Sequence, residues 1–200
     1  MSKREAKKSL LLERGLEVMK VHGYNGTSVK DIVDAAGTPK GSFYNYFASK
    51  EEFAVEALDR VGRATVEEGE RLLGSPAEPP LQRLRGFFLA HTEQACAGDF
   101  RAGCFLGNLG QEMSDSCEAI RCKVQQTLSA NARMFREVLE QAKAAGQLDP
   151  AVDPEQTAEF IFNAWEGTLM RMKADKSRAP LDAFLALLPR LLGEGASATG

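Results

Sequence analysis

Residues 26–50 read GTSVKDIVDAAGTPKGSFYNYFASK, and this stretch decides the fold. Thr27 and Ser28 are hydroxyl residues able to cap a helix by accepting backbone N–H bonds. Val29, Ile32, Val33 and Ala36 follow at helical spacing, which makes one face apolar. Gly37 ends that helix, because glycine takes the left-handed backbone conformation without steric cost. Thr38 and Pro39 restart a helix as a hydroxyl cap followed by proline in the first turn, where no N–H is needed. Phe43 and Phe47, four apart, point inward. The opposite face carries Thr38, Lys40, Ser42, Tyr44, Asn45 and Tyr46, and Gly41 keeps it flat enough to approach a backbone closely. Ser49 caps the next helix. Lys50, in its first turn, opposes the helix dipole, a placement that suits a nearby phosphate. The expectation is a helix-turn-helix whose second helix enters a groove of double-stranded DNA.

Charge is distributed to match. Residues 1–50 hold nine Lys and Arg against five Asp and Glu, the remainder holds sixteen against twenty-three, and the net charge is −3. A basic head on an acidic body directs only the head at DNA phosphates, so a salt-sensitive complex is expected. No apolar run approaches the roughly 20 residues of a membrane span. The basic start, Met1 to Lys8, is not followed by a signal-type apolar segment, so a cytoplasmic protein is expected. Cys96, Cys104, Cys117 and Cys122 form no CxxC pair, and His22 and His91 lie far apart; metal-ligand spacing is absent and reduced thiols are expected. There is no phosphate loop, no GxSxG and no HExxH. Neither an enzyme nor a cofactor is expected.

Beyond the head the periodicity is helical throughout, and an all-α chain is expected. Helices are predicted over about 4–21, 50–73, 81–97, 104–113, 116–145, 154–174 and 180–192. The division expected is residues 1–50 as the DNA-binding domain, 51–192 as a helical-bundle effector and dimerisation domain, and 193–200 as a small, polar, flexible tail. In the helix from Pro154, Phe160, Ala164, Gly167 and Arg171 form one stripe while Phe162, Trp165, Leu169 and Met172 fill others, which suggests burial against more than one partner.

The run Gly41 to Phe47, followed by Ser49, Lys50 and Glu51, resembles the recognition-helix pattern of the TetR family of one-component bacterial repressors, and residues 10–55 resemble that family's N-terminal domain. The resemblance implies a homodimer paired through its last two long helices. Two recognition helices would then lie about 34–36 Å apart, or a multiple of it, on a near-palindromic operator. On that reading Thr38, Lys40, Gly41, Ser42 and Tyr44 lie near base edges or adjacent sugars, and Thr27, Ser28, Tyr46 and Lys50 hold phosphates.

The body carries a second resemblance. Residues 101–113, RAGCFLGNLGQEM, and 165–173, WEGTLMRMK, followed by Ala179, Pro180 and Leu181, are similar to a TetR subgroup that responds to reactive electrophiles, the type of the repressors of N-ethylmaleimide reductase and of acrylate metabolism. The resemblance implies that a small-molecule effector modifies Cys104. Free N–H groups at a helix start, with Arg101 nearby, would favour its thiolate. Phe105, Gln111, Trp165, Met172 and Lys173 complete the effector set implied. Read without the resemblance, Cys104 is equally a small buried apolar residue. Phe105, Trp165 and Met172 are equally plain core, Gln111 and Glu112 are equally pocket contacts or structural hydrogen bonds, and Lys173 is equally a solvated lysine. Three alternatives stay open: a reversible hydrophobic or carboxylate ligand, a helical ligand carrier without regulatory DNA binding, and a constitutive architectural DNA binder.

Overall fold

The computed structural model describes residues 2–193, and every regular element among them is helical. The α-helices are α1 (Lys3–His22), α2 (Val29–Ala35), α3 (Lys50–Leu73), α4 (Pro80–Ala97), α5 (Phe105–Met113), α6 (Glu118–Ala144), α7 (Pro154–Asp175) and α8 (Ala179–Leu191). A 3-10 helix, Lys40–Asn45, lies between α2 and α3. The chain forms two compact units, Met1–Arg63 with Phe105–Thr127, and Ala64–Cys104 with Leu128–Gly200. Within the first unit the opening turns of α3 pack with α1. Lys8 pairs with Glu56 at 2.6 Å, and Arg60 donates to Ser9 at 3.2 Å. Of the expected tail, residues 194–200 lie outside the described residues.

In the first unit, Ser2 and Glu5 form a reciprocal capping box at the start of α1. Gly15 lets α1 close on its neighbours: a Cβ there would lie 2.6 Å from both Ile32 and Phe53. Phe43, Phe47 and Phe53 pack with ring centroids 5.1–5.9 Å apart and are fully buried. Burying each ring stabilises by roughly 1.5–3 kcal/mol. This triad fastens the 3-10 helix to α3.

In the second unit α8 packs against α4 and α7. Phe88 stands at the centre, with Phe135, Trp165 and Phe184 at centroid distances of 4.9–5.1 Å. The buried Arg83 donates to Leu73 O, the last carbonyl of α3, and to Gln141 Oε1 at 2.6 Å. The loop between α4 and α5 holds two non-glycine residues in left-handed backbone, Asp99 (φ 51°) and Phe100 (φ 55°). A bulky residue in that region is strained, at a cost on the order of 1–3 kcal/mol.

Candidate DNA-reading face and effector segment

The first short helix of the motif forms as its caps dictate. Ser28 is the N-cap of α2: its hydroxyl accepts from Asp31 N at 3.2 Å and donates to Asp31 Oδ2 at 2.6 Å, and Asp31 accepts from Ser28 N at 2.8 Å. These bonds hold the Asp31 carboxyl below its ordinary range. Gly37 closes the helix at φ +62°. Thr27, beside Ser28, plays a different part from the one expected. Only one of two adjacent hydroxyls can be the N-cap, and Thr27 turns away to donate to Gly23 O at 2.7 Å. At 1% exposure it has no access to a phosphate.

The reading element also departs from expectation. Thr38 caps nothing; its hydroxyl points back to Val33 O at 3.5 Å, and Pro39 opens the element without a side-chain cap. Ser42 N bonds to Pro39 O and Tyr46 N to Phe43 O, the tight pattern of a 3-10 helix. The face is nonetheless presented outward. Lys40, Gly41, Tyr44 and Asn45 are exposed, Tyr44 at 58%, while Thr38, Ser42 and Tyr46 are half-buried at the margin. A Cβ on Gly41 would meet nothing within 4 Å, so the chain itself makes no demand for glycine there. Arg4 was read only as helix; its Nη2 donates to Asn45 O at 3.3 Å, which sets a guanidinium beside the reading element. No local signal marks this contact, since 41 residues separate the partners.

Lys50 is drawn inward. Its Nζ donates to Tyr24 O and Thr27 O, both at 3.0 Å, and stands 4.0 Å from the centre of the Tyr24 ring. It holds the carbonyls of the turn before α2, the place where a phosphate contact was expected of it. Tyr24 donates its hydroxyl to Glu51 at 2.8 Å. Burial, then the Glu51 carboxylate, pushes the Tyr24 phenol well above its usual range. The serine at 49, Glu51's own backbone and the Tyr24 hydroxyl hold Glu51 low.

The effector residues read from the sequence divide between the units. Phe105 and Gln111 belong to the first; Cys104, Trp165, Met172 and Lys173 belong to the second. Trp165 and Met172 are core, and Phe105 is buried. Gln111 is exposed, and the residue with partners is its neighbour Glu112, whose carboxylate accepts from Tyr24 N at 3.1 Å and Asn25 N at 2.8 Å. Lys173 is half-buried. Cys104 immediately precedes α5, and its partner is the Glu166 carboxyl on α7; Arg101 is exposed. Burial pushes Glu166 up, partly offset by the thiol hydrogen bond. Cys122 contrasts with it: its thiol donates to Glu118 at 3.2 Å, and that bond pushes the thiol up. In the second unit a groove of about 320 Å³ runs beside α3 and α6, lined by Val66, Glu70, Leu73, Arg133, Met134 and Gln141, and includes none of the six effector residues. No group of three His, Cys, Asp or Glu side chains among the described residues is arranged to hold a metal ion. No helix among them is long and apolar enough to cross a membrane.

Two family models match this arrangement. "Bacterial regulatory proteins, tetR family" covers residues 11–57, and "Tetracyclin repressor-like, C-terminal domain" covers residues 80–188. The chain belongs to the TetR family. Among its TetR relatives, the HTH-type transcriptional repressor DhaR of Mycobacterium sp. strain GP1 is 33% identical over 90% of this chain and 91% of its own length. The transcriptional regulator AcuR of Cereibacter sphaeroides is 36% identical over 87% of this chain and 80% of its own. A crystal structure of a TetR regulatory protein from Rhodobacter sphaeroides superposes with a TM-score of 0.87 at 32% identity, covering 92% of this chain and 97% of that one. The reduced form of Escherichia coli NemR superposes with a TM-score of 0.83 at 26% identity, covering 94% of this chain and 98% of that one. As a TetR member the chain is a DNA-binding regulator of transcription, of the repressor type.

Proposed function

We propose that this chain is a homodimeric repressor, acting in the cytoplasm, that leaves a near-palindromic operator when a soft electrophile adds to Cys104. Residues 1–50 read the DNA, with Thr38, Lys40, Gly41, Ser42 and Tyr44 at bases or sugars and Ser28 and Tyr46 at phosphates. Residues 51–192 carry the effector segment and the dimer face. Exposed apolar side chains support that face: Phe160 and Met170 on α7, Met170 at 65%, and Leu187 on α8. Gly167 lies on the same helix, with open space where a Cβ would be.

The observation that carries the electrophile reading is the pairing of the Cys104 thiol with a carboxyl in the second unit. A carboxylate beside a thiol does not favour a standing thiolate, so the activation differs from that expected of a helix start. Glu166 instead serves as the proton acceptor, and a carboxyl raised by burial is better matched to that work near neutral pH. As Cys104 Sγ bonds to the β-carbon of an activated alkene, the thiol proton passes to Glu166. The alkene π pair moves to the α-carbon, which takes the proton back, leaving a thioether and a free carboxylate. Asp99 and Phe100, both in left-handed backbone, sit just ahead of this cysteine, which sets a strained loop beside the reacting thiol.

Fluorescence anisotropy of a labelled duplex from upstream of the gene tests this. Bound protein should release the duplex on addition of N-ethylmaleimide, and Cys104→Ser should bind and stay bound. Release that persists in Cys104→Ser overturns the covalent reading. The groove beside α3 and α6 would then favour the second reading, a reversible ligand.

A further inference from the structure

Glu112, on α5, grips backbone of the helix-turn-helix through a forked carboxylate. Oε1 accepts from Tyr24 N at 3.1 Å and Oε2 from Asn25 N at 2.8 Å, two consecutive amides of the turn that closes α1 and leads into α2. Charge-assisted and two-pronged, such a contact fixes orientation as well as distance. Gly23 is shaped to it: its φ is +74°, and a Cβ there would lie 2.4 Å from Glu112 Oε1. The carbonyls of the same turn are held by Lys50, which donates to Tyr24 O and Thr27 O. A carboxylate therefore accepts from two N–H groups of the turn while a lysine donates to two of its C=O groups. The turn delivers Ser28, the N-cap of α2, and α2 packs on the 3-10 reading helix. All of these residues lie within the first unit.

We propose that Glu112 is a positioning residue for operator binding. Its carboxylate fixes the turn so that α2 and the reading helix meet DNA in register, and it makes that register answer to α5, the helix that begins at the residue after Cys104. The assignment rests on the DNA-binding reading of the first unit and adds to it a residue that touches no DNA.

The test uses the full chain and Glu112→Gln, which keeps the shape and loses one acceptor. Dissociation constants are measured at one ionic strength for a duplex that the wild-type protein selects from a random pool and for an unrelated duplex. Amide exchange is followed at Tyr24 and Asn25. The selected duplex should bind about tenfold more weakly, the scale of one lost charge-assisted hydrogen bond. The unrelated duplex should bind as before or more tightly, because a negative charge has gone. Exchange at the two amides should quicken while the rest of α1 and α2 stays protected. Gly23→Ala, which evicts the same carboxylate from the other side, should reproduce the loss. Selected-duplex binding within twofold of wild type overturns the assignment. So does an equal loss on both duplexes with exchange rising throughout α1 and α2, which marks a merely structural role. If the wild-type protein selects no duplex, the DNA-binding reading itself has failed, and that is known before any variant is made.

Discussion

In the first unit the turn before α2 is held atom by atom: Glu112 on two amides, Lys50 on two carbonyls, Tyr24 on Glu51. In the second, Phe88 lies among Phe87, Phe135, Trp165 and Phe184, and these contacts are ring against ring at centroid distances of 4.9–5.4 Å. Directed bonds specify position, and each is broken by the change of one atom. Aromatic packing supplies more free energy and tolerates rearrangement, provided volume is kept. A surface that must meet DNA in register needs the first kind of hold. On the function proposed, a body that yields to an effector is better served by the second.

The largest expected effect falls on the packed unit. Phe88→Ala should cost about 3–5 kcal/mol, read from urea unfolding, while the folded fraction keeps its DNA affinity. A cost no greater than that of losing one helix cap would erase the contrast. Lys50→Met should come next, at about 1.5–3 kcal/mol, for the loss of a charged donor shared by two carbonyls. Thermal unfolding and DNA affinity should fall together. If affinity for all duplexes falls while stability stays at the wild-type level, Lys50 acts on phosphate and not on the turn. Ser28→Ala should cost about 1 kcal/mol and fray α2, visible as faster amide exchange in its first turn.

The smallest effect is a difference of sign. Asp31 and Glu51, in the first unit, have carboxyls held low by hydrogen bonds, and Arg121 holds Glu118 down to about 2. Their folded values lie below their unfolded ones, so the stability they add is present above the unfolded value and lost as pH falls through the folded one. Glu166, in the second unit, is raised by burial. It contributes fully below its unfolded value and loses that contribution as pH rises through the folded one. Glu166→Gln should therefore raise the melting temperature at pH 7 and leave it unchanged near pH 3. A variant less stable than wild type at pH 7 would mean that the carboxylate is held by partners, not merely buried. His91, lowered by burial, acts in the opposite sense, weakening the second unit as pH falls below about 6.5.

Apolar spacing and local capping were legible in the sequence, because both act within one helical turn. Ile32, Val33, Phe43 and Phe47 are buried where their spacing puts them, and Ser28 and Ser49 cap the helices that follow them. Two misreadings were local ambiguities. Thr27 and Ser28 offer the same hydroxyl, and Thr38 followed by Pro39 fits the start of an α-helix as well as of a 3-10 turn. The rest acts at long range. Lys50 reaches back 26 residues, Arg4 reaches forward 41, and Glu112 lies 88 residues from Tyr24. Periodicity could not say which of Gln111 and Glu112 faces a partner, nor that the thiol at 104 meets the carboxyl at 166.

The Glu112 carboxylate fills the space in which a side chain at Gly23 would stand. A side chain at 23 would meet the carboxylate at 2.4 Å and strain a backbone at φ +74°, so the acid at 112 and the backbone at 23 both favour glycine there. Descendants of this chain that gain a side chain at 23 must also have lost, shortened or redirected the acid at 112. They would hold the approach to α2 by some other means.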